Sequence, residues 1–322
     1  MAQFWTESSL DDLLAAVSTA VLDTGDVVVA RRGATRELRA VMLELTAPRA
    51  RLSRSAARGR LFSALGELSW YLTGSADPAH IEYYIPGYRK HVKDFSGAYG
   101  PRLFGDAMGE QVKNLIAALR ENPTTRRAVA PILKVEDLRG SGGEPPCTCT
   151  LQFLVRDNEL HTVVFMRSND IMKGLPHDVF AFTMIAEIIA RSLGCSLGSY
   201  THMVGSLHLY EAGTDLADAR AYLEEGLMAG REMPAMPPGD PWPSIRTFLA
   251  AEAALRQGRP MPDMSHLDEY WQELVTVLVG YAAWKKRDAA AVRDARAQLA
   301  GTFFELYFTD KQIELGRAPG AQ

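Results

Sequence analysis

The chain has 322 residues, of which 47% are hydrophobic and 23% are charged, and its formal net charge is −4. This composition is typical of a globular protein and excludes a collagen-like, coiled-coil or largely disordered chain. Because the net charge is negative, we expect no general affinity for a long nucleic acid, although a local group of arginines could still bind a small anion.

The N-terminal half of the sequence predicts helices and strands separated by loops. Ser9, with Asp12 three residues later, is a helix start signal, and Gly25 marks the end of that helix. The predicted helices of this half are 9–25, 59–74 and 109–122, and the predicted strands are 26–30, 38–46 and a stretch within 123–137. A basic loop is predicted over 30–38. Residues 75–106 are rich in Gly, Pro and Tyr at irregular spacing, which predicts a long surface segment that builds a binding site.

The C-terminal half predicts a mixture of strands and helices and then helices alone. The predicted elements are a flexible loop over 139–146, a β-hairpin around Asp157-Asn158, a helix over 179–193 ending at Gly194, a strand within 199–211 and a helix over 215–227. A Pro-rich stretch follows, and the pattern is helical from Ile245 onward. We expect an α+β (mixed α/β) core over 1–232 and a Pro-rich connection with a helical extension over 233–322, packed as one structural domain.

Cysteine usage and hydropathy indicate a cytoplasmic protein outside the membrane. The three cysteines are too few for a disulfide framework, which favours a reducing compartment. The first residues lack the basic and apolar regions of a signal peptide. The most apolar long stretch, VFAFTMIAEIIARSLG, contains Glu187 and Arg191, so we expect a buried helix there and no membrane span.

Cys147 is the strongest candidate for a reactive side chain. The Gly/Pro-rich loop before it places the thiol at the start of a strand, where a ligand could reach it. A thiolate there needs nearby positive charge, for which Arg126, Arg127 and Arg167 are candidates. The alternative is a small buried hydrophobic residue, which is the usual role of Cys and the one expected for Cys149. The Cys-x-Cys spacing has no second pair to complete a tetrahedral site, so we expect no metal.

The segment RSNDIMKGLPHD, residues 167–178, places several polar groups close together. It contains a guanidinium, a hydroxyl and two carboxylates within one predicted strand-loop-helix unit, namely Arg167, Ser168, Asp170 and Asp178. Gly174 and Pro176 shape the loop. Taken singly, Asp178 could be only a helix N-cap and Arg167 only an exposed strand end.

Two further positions carry polar groups in apolar surroundings. His208 and Tyr210 alternate on one strand face, where they could be a simple packing pair or a polar site. Glu67 lies on an otherwise apolar helix. A Glu in such a place either reaches solvent or has a function, because burial without a partner is costly.

Together, these motifs resemble the thymidylate synthase superfamily. The resemblance rests on PPC, RS-D, GLP-D and H-Y in this order, on GELSWYLTG and on TTRRAV, and it runs from about Asp26 to Tyr210. It implies a thymidylate-synthase-like fold with a large mixed, mostly antiparallel sheet flanked by helices. It also implies a homodimer, a pyrimidine nucleoside monophosphate substrate and 5,10-methylenetetrahydrofolate as co-substrate.

The same resemblance implies roles for individual residues. Cys147 would attack the pyrimidine, Glu67 would organise water, and Asp170 would bind the pterin with Gly174 beside it. The implied substrate contacts are Arg31 or Arg32, Arg167 and Ser168 for the phosphate, Arg126 and Arg127 from a second subunit, Asn169, and His208 and Tyr210 for the sugar 3′-hydroxyl.

Three departures refine the expected activity. The methylating synthases carry Asn where this chain has Asp178, and Asp there resembles the deoxycytidylate hydroxymethylases, as does GAYGPR. The chain ends in ELGRAPGAQ, unlike the short apolar tail of the synthases, which fits a reaction with water as second reactant. His177 replaces a Phe that is usual in the synthases, and it could orient water.

We therefore expect a cytidylate 5-hydroxymethyltransferase. Ser168 favours dCMP over CMP, because it is the residue of the deoxynucleotide enzymes. A thymidylate synthase acting on dUMP and a non-catalytic nucleotide- or RNA-binding relative are the alternatives.

Overall fold

A computed structural model describes residues 3–30, 33–53, 55, 60–92, 95–105, 110–139, 145–226 and 230–309. The chain divides into two compact units, Met1–Met233 and Pro234–Gln322. The strands of the first unit are Gln3–Glu7 (β1), Asp26–Ala30 (β2), Gly33–Leu45 (β3), Val129–Pro131 (β4), Thr148–Arg156 (β5), Glu159–Asp170 (β6) and Ser196–Tyr210 (β7). Its helices are Leu10–Thr24 (α1), Leu61–Leu72 (α2), Pro78–Tyr84 (α3), Tyr88–His91 (α4), Tyr99–Leu103 (α5), Gln111–Glu121 (α6), Gly174–Leu193 (α7) and Asp215–Glu224 (α8).

The second unit is helical in its described part. Its helices are Trp242–Gln257 (α9), Glu269–Lys285 (α10) and Ala289–Gln298 (α11), with a short 3₁₀ turn at Glu305–Phe308. Buried aromatic side chains form its core, including Phe248, Trp271 and Phe304. The predicted helical pattern after Ile245 is therefore confirmed as far as residue 309.

The seven described strands of the first unit form one mixed sheet in the order β1-β3-β7-β6-β5-β4, with β2 paired to β3. The β1–β3 and β6–β7 pairs are parallel, and the other pairs are antiparallel. Helix α7 packs against β6 and β7, and α1 packs against β1 and β3. The mixed α/β fold expected from the sequence is confirmed.

The two faces of the sheet differ in exposure. A buried row runs across three strands through Leu43, His202 and Val164. On the opposite face, the neighbouring row runs through Phe4, Met42, Met203 and Phe165. Side chains alternate along a strand, so the first row faces the core and the second faces outward. Phe4, Phe165 and Met203 are exposed in this chain.

Strong local signals were predicted correctly. Ser9 caps α1 and accepts a hydrogen bond from the Asp12 amide. Asp157 and Asn158 both have positive φ angles, 49° and 62°, as a two-residue hairpin turn between β5 and β6 requires. Helix α7 ends at Gly194, which is left-handed.

Three local predictions were wrong. Helix α7 begins at Gly174 instead of near 179, because Pro176 is tolerated in a first helical turn. The basic loop is shorter than predicted, because β3 already begins at Gly33. The segment 75–106 is not a surface segment throughout: its described part contains three short α-helices and buries side chains such as Ile81 and Leu103, while its expected part in a binding site stays a prediction. Helices of four to seven residues are too short to give a periodic pattern.

Within the described residues, no helix has the length and apolar character that a membrane crossing requires.

Candidate active site

The segment that carries Cys147 is held by Arg167. The guanidinium donates from Nε to the Pro146 carbonyl at 3.0 Å and from Nη2 to the Pro145 carbonyl at 2.7 Å. The Arg167 backbone N–H donates to the Cys147 carbonyl at 2.9 Å. Arg167 is therefore more than an exposed strand end, because it fixes the backbone on which the half-buried Cys147 thiol is mounted.

Tyr99 lies beside this cysteine, and the sequence analysis did not single it out as a site residue. Its hydroxyl accepts a hydrogen bond from the Thr148 backbone N–H at 3.2 Å. Burial raises the pKa of Tyr99 well above its usual range, and the charges of Asp178 and Cys147 raise it further. The phenol therefore stays protonated, and it interacts electrostatically with both the thiol and the carboxyl of Asp178. Its place in GAYGPR was the available signal.

Glu67 is buried on α2 and does not reach solvent. Burial raises the pKa of its carboxyl to about 7, although a hydrogen bond from Tyr71, one helical turn further on, opposes the shift. A carboxyl with this pKa can take up or release a proton near neutral pH. Burial raises the pKa of Tyr88 as well, with added effects from the charges of Glu67, Asp178 and Cys147. These four groups therefore share one small region.

Asp178 is the fifth residue of α7 and is not its N-cap, so the N-cap alternative was wrong. Its Oδ2 accepts a hydrogen bond from Asn169 Nδ2 at 2.7 Å. Burial raises the pKa of Asp178 well above its usual range, and the nearby charge of Glu67 adds to the effect. Gly174 leaves room for this contact, because a Cβ there would lie 2.8 Å from Asn169 Nδ2.

Behind Asn169 lie two buried β7 side chains. His202 Nε2 is 3.2 Å from Asn169 Oδ1, and Tyr200 Oη is 2.7 Å from His202 Nδ1. Burial lowers the pKa of His202 to about 3, so the ring is neutral. Sequence analysis singled out neither residue. Their alternation on a buried strand face was the only signal, and it is shared by ordinary packing residues.

Asp170 follows Asn169 directly and is the last residue of β6. Its Oδ1 accepts from the backbone N–H groups of Met172 and Lys173, which shapes the turn into α7. Burial raises the pKa of Asp170, and the charge of Asp215 raises it further. Lys173 forms an ion pair with Asp215 at 2.8 Å. Asp170 is also the β6 neighbour of His208 on β7.

The remaining predicted residues divide into four groups. His208 and Tyr210 are brought together, with ring centroids 5.1 Å apart in an edge-to-face contact. Ser168 is half-buried on β6, next to Asn169. Arg126 and Arg127 are exposed just before β4, at the edge of the sheet, where their side chains donate no hydrogen bond to a described residue. Arg31 and Arg32 lie outside the described residues.

His177 is used in helix packing. Its Nδ1 is 2.8 Å from the Lys173 carbonyl, and its Nε2 is 2.9 Å from Ser63 Oγ on α2. Burial lowers the pKa of His177 to about 4. The ring is neutral with both nitrogens engaged, so the geometry favours a link between α2 and α7 over the orientation of water.

Within the described residues, no group of three or more His, Cys, Asp or Glu side chains could hold a metal ion. The site combines a thiol, three carboxyls with raised pKa values and a guanidinium. This set suits covalent addition to a ring and proton transfer.

A comparison with protein families accounts for this combination. The thymidylate synthase family model matches residues 21–225, which include every side chain of the site. The match supports one-carbon transfer to C5 of a pyrimidine nucleotide, a reaction for which the family uses methylenetetrahydrofolate. The chain belongs to the thymidylate synthase family.

Proposed function

We propose that this protein is a 5-hydroxymethyltransferase of a cytosine nucleotide, dCMP or CMP, with 5,10-methylenetetrahydrofolate and water as the other reactants. The observation that carries the proposal is Asp178, a buried carboxyl whose pKa is raised well above its usual range and whose Oδ2 is held by Asn169. Ser168 favours dCMP by its resemblance to the deoxynucleotide enzymes.

A protonated carboxyl suits the edge of cytosine. Cytosine offers an acceptor at N3 and an amino donor at N4, while the carboxyl offers one O–H donor and one carbonyl acceptor. An apolar side chain in the place of Asp178 would leave these groups unpaired, at a cost of about 1–3 kcal/mol for each. The methylating synthases, which act on uracil, have an amide in this place.

The thiol supplies covalent catalysis. The Cys147 thiolate adds to C6 of the base, and the C5 carbon becomes nucleophilic. The co-substrate supplies a one-carbon unit at the oxidation level of formaldehyde, which C5 takes up as a methylene group while C5 loses its proton. Water then adds to the methylene carbon, and the C6–S bond breaks. The sum is cytidylate, methylenetetrahydrofolate and water giving 5-hydroxymethylcytidylate and tetrahydrofolate, with no change in oxidation state.

Two buried acids serve the proton transfers. Glu67, with a pKa raised to about 7, can hold a proton near the base and orient the attacking water. Tyr99 stays protonated next to Thr148 and interacts electrostatically with both the thiol and Asp178. We assign it the role of a hydrogen-bond donor, which would orient the water molecule that takes the proton from C5.

Asp170 suits the pterin by its chemistry. A pterin ring presents an adjacent N–H and amino donor, and a carboxylate accepts from both. Only Oδ1 of Asp170 is engaged by the Met172 and Lys173 amides. The Asp170 carboxylate would thus orient the ring, with Gly174 beside it.

The phosphate would bind at Arg167, whose Nη1 donates no hydrogen bond to a described residue, and at Ser168, Arg31 or Arg32. His208 and Tyr210 would hold the sugar. Arg126 and Arg127 would reach the phosphate of the nucleotide that is bound in the second subunit of a homodimer. The apolar row of Phe4, Met42, Met203 and Phe165 supports a dimer formed through the open face of the sheet.

The division of labour in the chain follows from this assignment. Residues 1–232 would carry the reaction, and residues 233–322 would be a Pro-rich connection and a helical extension. We place the reaction in the cytoplasm, where the Cys147 thiol is kept reduced.

Mass spectrometry of the products tests the proposal. The protein is incubated with methylenetetrahydrofolate and an equal mixture of dCMP, CMP and dUMP. We expect a gain of CH2O on a cytosine nucleotide. A gain of CH2 on dUMP would instead identify a thymidylate synthase and refute the proposal.

A cysteine variant separates catalysis from binding. In Cys147→Ala the nucleotide should still bind, while turnover should disappear because no C6 adduct can form. Turnover by this variant would exclude the covalent mechanism. A wild-type protein that binds nucleotide and transforms none would belong to the non-catalytic class.

A further inference from the structure

A chain of three buried hydrogen bonds ends on Asp178. It runs from Tyr200 Oη to His202 Nδ1 at 2.7 Å, from His202 Nε2 to Asn169 Oδ1 at 3.2 Å, and from Asn169 Nδ2 to Asp178 Oδ2 at 2.7 Å. None of the four side chains is more than 8% exposed, and His202 is fully buried. Two of the residues come from β7, one from β6 and one from α7, so the chain depends on the packing of the helix against the sheet.

The direction of each hydrogen bond follows from Tyr200, the residue at the far end of the hydrogen-bond chain from Asp178. Tyr200 is 1% exposed, and His202 is the only hydrogen-bond partner of its hydroxyl among the described residues. A buried hydroxyl proton needs an acceptor, so Tyr200 donates to Nδ1. Nδ1 then carries no proton, and in a neutral ring the proton is on Nε2. Nε2 donates to Asn169 Oδ1, which turns the amide N–H toward Asp178.

The position of the Asp178 proton matters, because a neutral carboxyl can carry it on either oxygen. Its carbonyl and O–H groups can pair with the N4 donor and N3 acceptor of cytosine. With the proton on the other oxygen, they pair equally well with the O4 acceptor and N3 donor of uracil. An acid at this position therefore does not by itself choose between the two bases.

We propose that Tyr200, His202 and Asn169 form a specificity device that acts through Asp178. Because Asn169 Nδ2, the last donor of the hydrogen-bond chain, donates to Asp178 Oδ2, the carboxyl proton is confined to Oδ1. Oδ2 then accepts from the cytosine N4 amino group and repels the uracil O4, while Oδ1 donates to N3. This inference rests on the proposed preference for cytosine and explains how an ambivalent group enforces it. Tyr200 and His202 are positioning residues, since they act only through Asn169.

The test compares cytosine and uracil nucleotides on variants of His202. Equilibrium affinities and turnover are measured for dCMP against dUMP and for CMP against UMP, and the result is expressed as a ratio for each pair. A ratio is insensitive to the fraction of folded protein. His202→Met removes the donor to Asn169 and should lower the ratio by about tenfold, the order expected for one unpaired buried polar group. His202→Gln keeps an N–H donor and should stay within about threefold of the wild type.

Two further variants complete the series. Tyr200→Phe frees the tautomer of His202 and should give an intermediate ratio. Val204→Ala is the matched control, because Val204 is a buried β7 residue on the same face and takes no part in the chain. It should lower stability and leave the ratio unchanged.

The outcomes separate this inference from the proposed function. A wild type that prefers cytosine, with an unchanged ratio in folded His202→Met and Tyr200→Phe, overturns the inference and leaves the function standing. A wild type that prefers uracil overturns both. If His202→Met does not fold, ¹⁵N NMR of the wild-type imidazole decides, with His202→Gln as the assignment control. A protonated Nε2 and bare Nδ1 are expected, and a protonated Nδ1 overturns the inference.

Discussion

Helix α7 carries two buried carboxyl groups nine residues apart, and they have opposite kinds of partner. Glu187 forms an ion pair with the fully buried guanidinium of Arg51. Asp178 has the neutral amide of Asn169, and its nearest charged neighbour is another acid, Glu67. Both positions face the interior of the same unit, so depth alone does not explain the difference.

The partner that the fold supplies separates a structural acid from a functional one. A buried charge is tolerable when an opposite charge and hydrogen bonds compensate for lost hydration. Where the compensation is a neutral donor and a like charge is near, the carboxyl keeps its proton instead, and its pKa rises. A proton that stays on the acid at neutral pH is available to a ligand. Glu187 is therefore placed to hold α7, while Asp178 would meet the base in the proposed function.

The largest expected effect comes from breaking the structural pair. Arg51→Met leaves the Glu187 charge buried without its guanidinium and should lower the free energy of unfolding by about 3–5 kcal/mol. Urea unfolding measures it, and Arg51→Met with Glu187→Met should recover part of the loss. Arg39→Met is the control, because its pair with Asp26 is exposed and should cost less than about 1 kcal/mol. Equal losses in the two single variants would contradict the distinction drawn here.

The next largest change in the free energy of unfolding is a gain, expected when Glu67 is replaced. Its pKa is raised from 4.5 to about 7 in the folded protein, so the unfolded chain releases this proton at lower pH than the native state. The cost to stability is absent below pH 4.5, grows between pH 4.5 and 7, and stays constant above. Glu67→Gln should therefore raise the free energy of unfolding at pH 8, by on the order of 3 kcal/mol.

The measurement is urea unfolding of Glu67→Gln and wild type at pH 5 and pH 8. The gain should be small at pH 5 and large at pH 8, while hydroxymethylation is lost. A variant less stable than wild type at pH 8 would show that the Glu67 carboxyl is compensated, as a structural acid is.

Local signals in the sequence predicted the elements that frame the site. The Ser9 cap and the Asp157-Asn158 turn each depend on a few neighbouring residues, so α1 and the β5–β6 hairpin were predictable. The start of α7 was not, because Gly174 and Pro176 are turn formers in isolation. Only packing against the sheet decides that this segment is helical.

The site itself was predictable in part. The thiol, Glu67 and Asp178 were predicted from their chemistry and from the family resemblance, and the structure places the three groups near Tyr88. The link from Asp178 through Asn169 to His202 joins residues that are 9 and 33 positions apart in the chain and share no local pattern. No spacing rule connects β6, β7 and α7, so only the packed structure identifies these partners.

A third prediction uses the two acids of α7 as matched substitutions. Asp178→Ala should move the base preference away from cytosine by about 5- to 100-fold, because the donor to N3 and the acceptor for the N4 amino group are both lost. Glu187→Ala should lower stability and leave the preference unchanged. Competition between dCMP and dUMP measures both. A preference that moves in Glu187→Ala, or that stays in Asp178→Ala, would contradict the division between the structural and the functional acid.

The smallest effect is expected at His177, which neighbours Asp178 in sequence and yet belongs with the structural contacts. Its nitrogens bridge Lys173 and Ser63, and burial lowers its pKa from 6.5 to about 4. Between these values the unfolded chain binds a proton that the native state does not, so stability rises with pH across this window. His177→Phe should lose the Ser63 contact, at about 1 kcal/mol near pH 7, and should also lose this sensitivity to acid.

Thermal unfolding of His177→Phe at pH 5 and pH 7 checks both parts, with Ser63→Ala as the control that removes the same contact and keeps the titrating ring. The cytosine preference and the pH profile of turnover should match the wild type. A change in either by more than about tenfold would give His177 a role at the base. The neutral ring would then act with Asp178 on the reacting side of α7, and the boundary between the functional and structural parts of this helix would lie elsewhere.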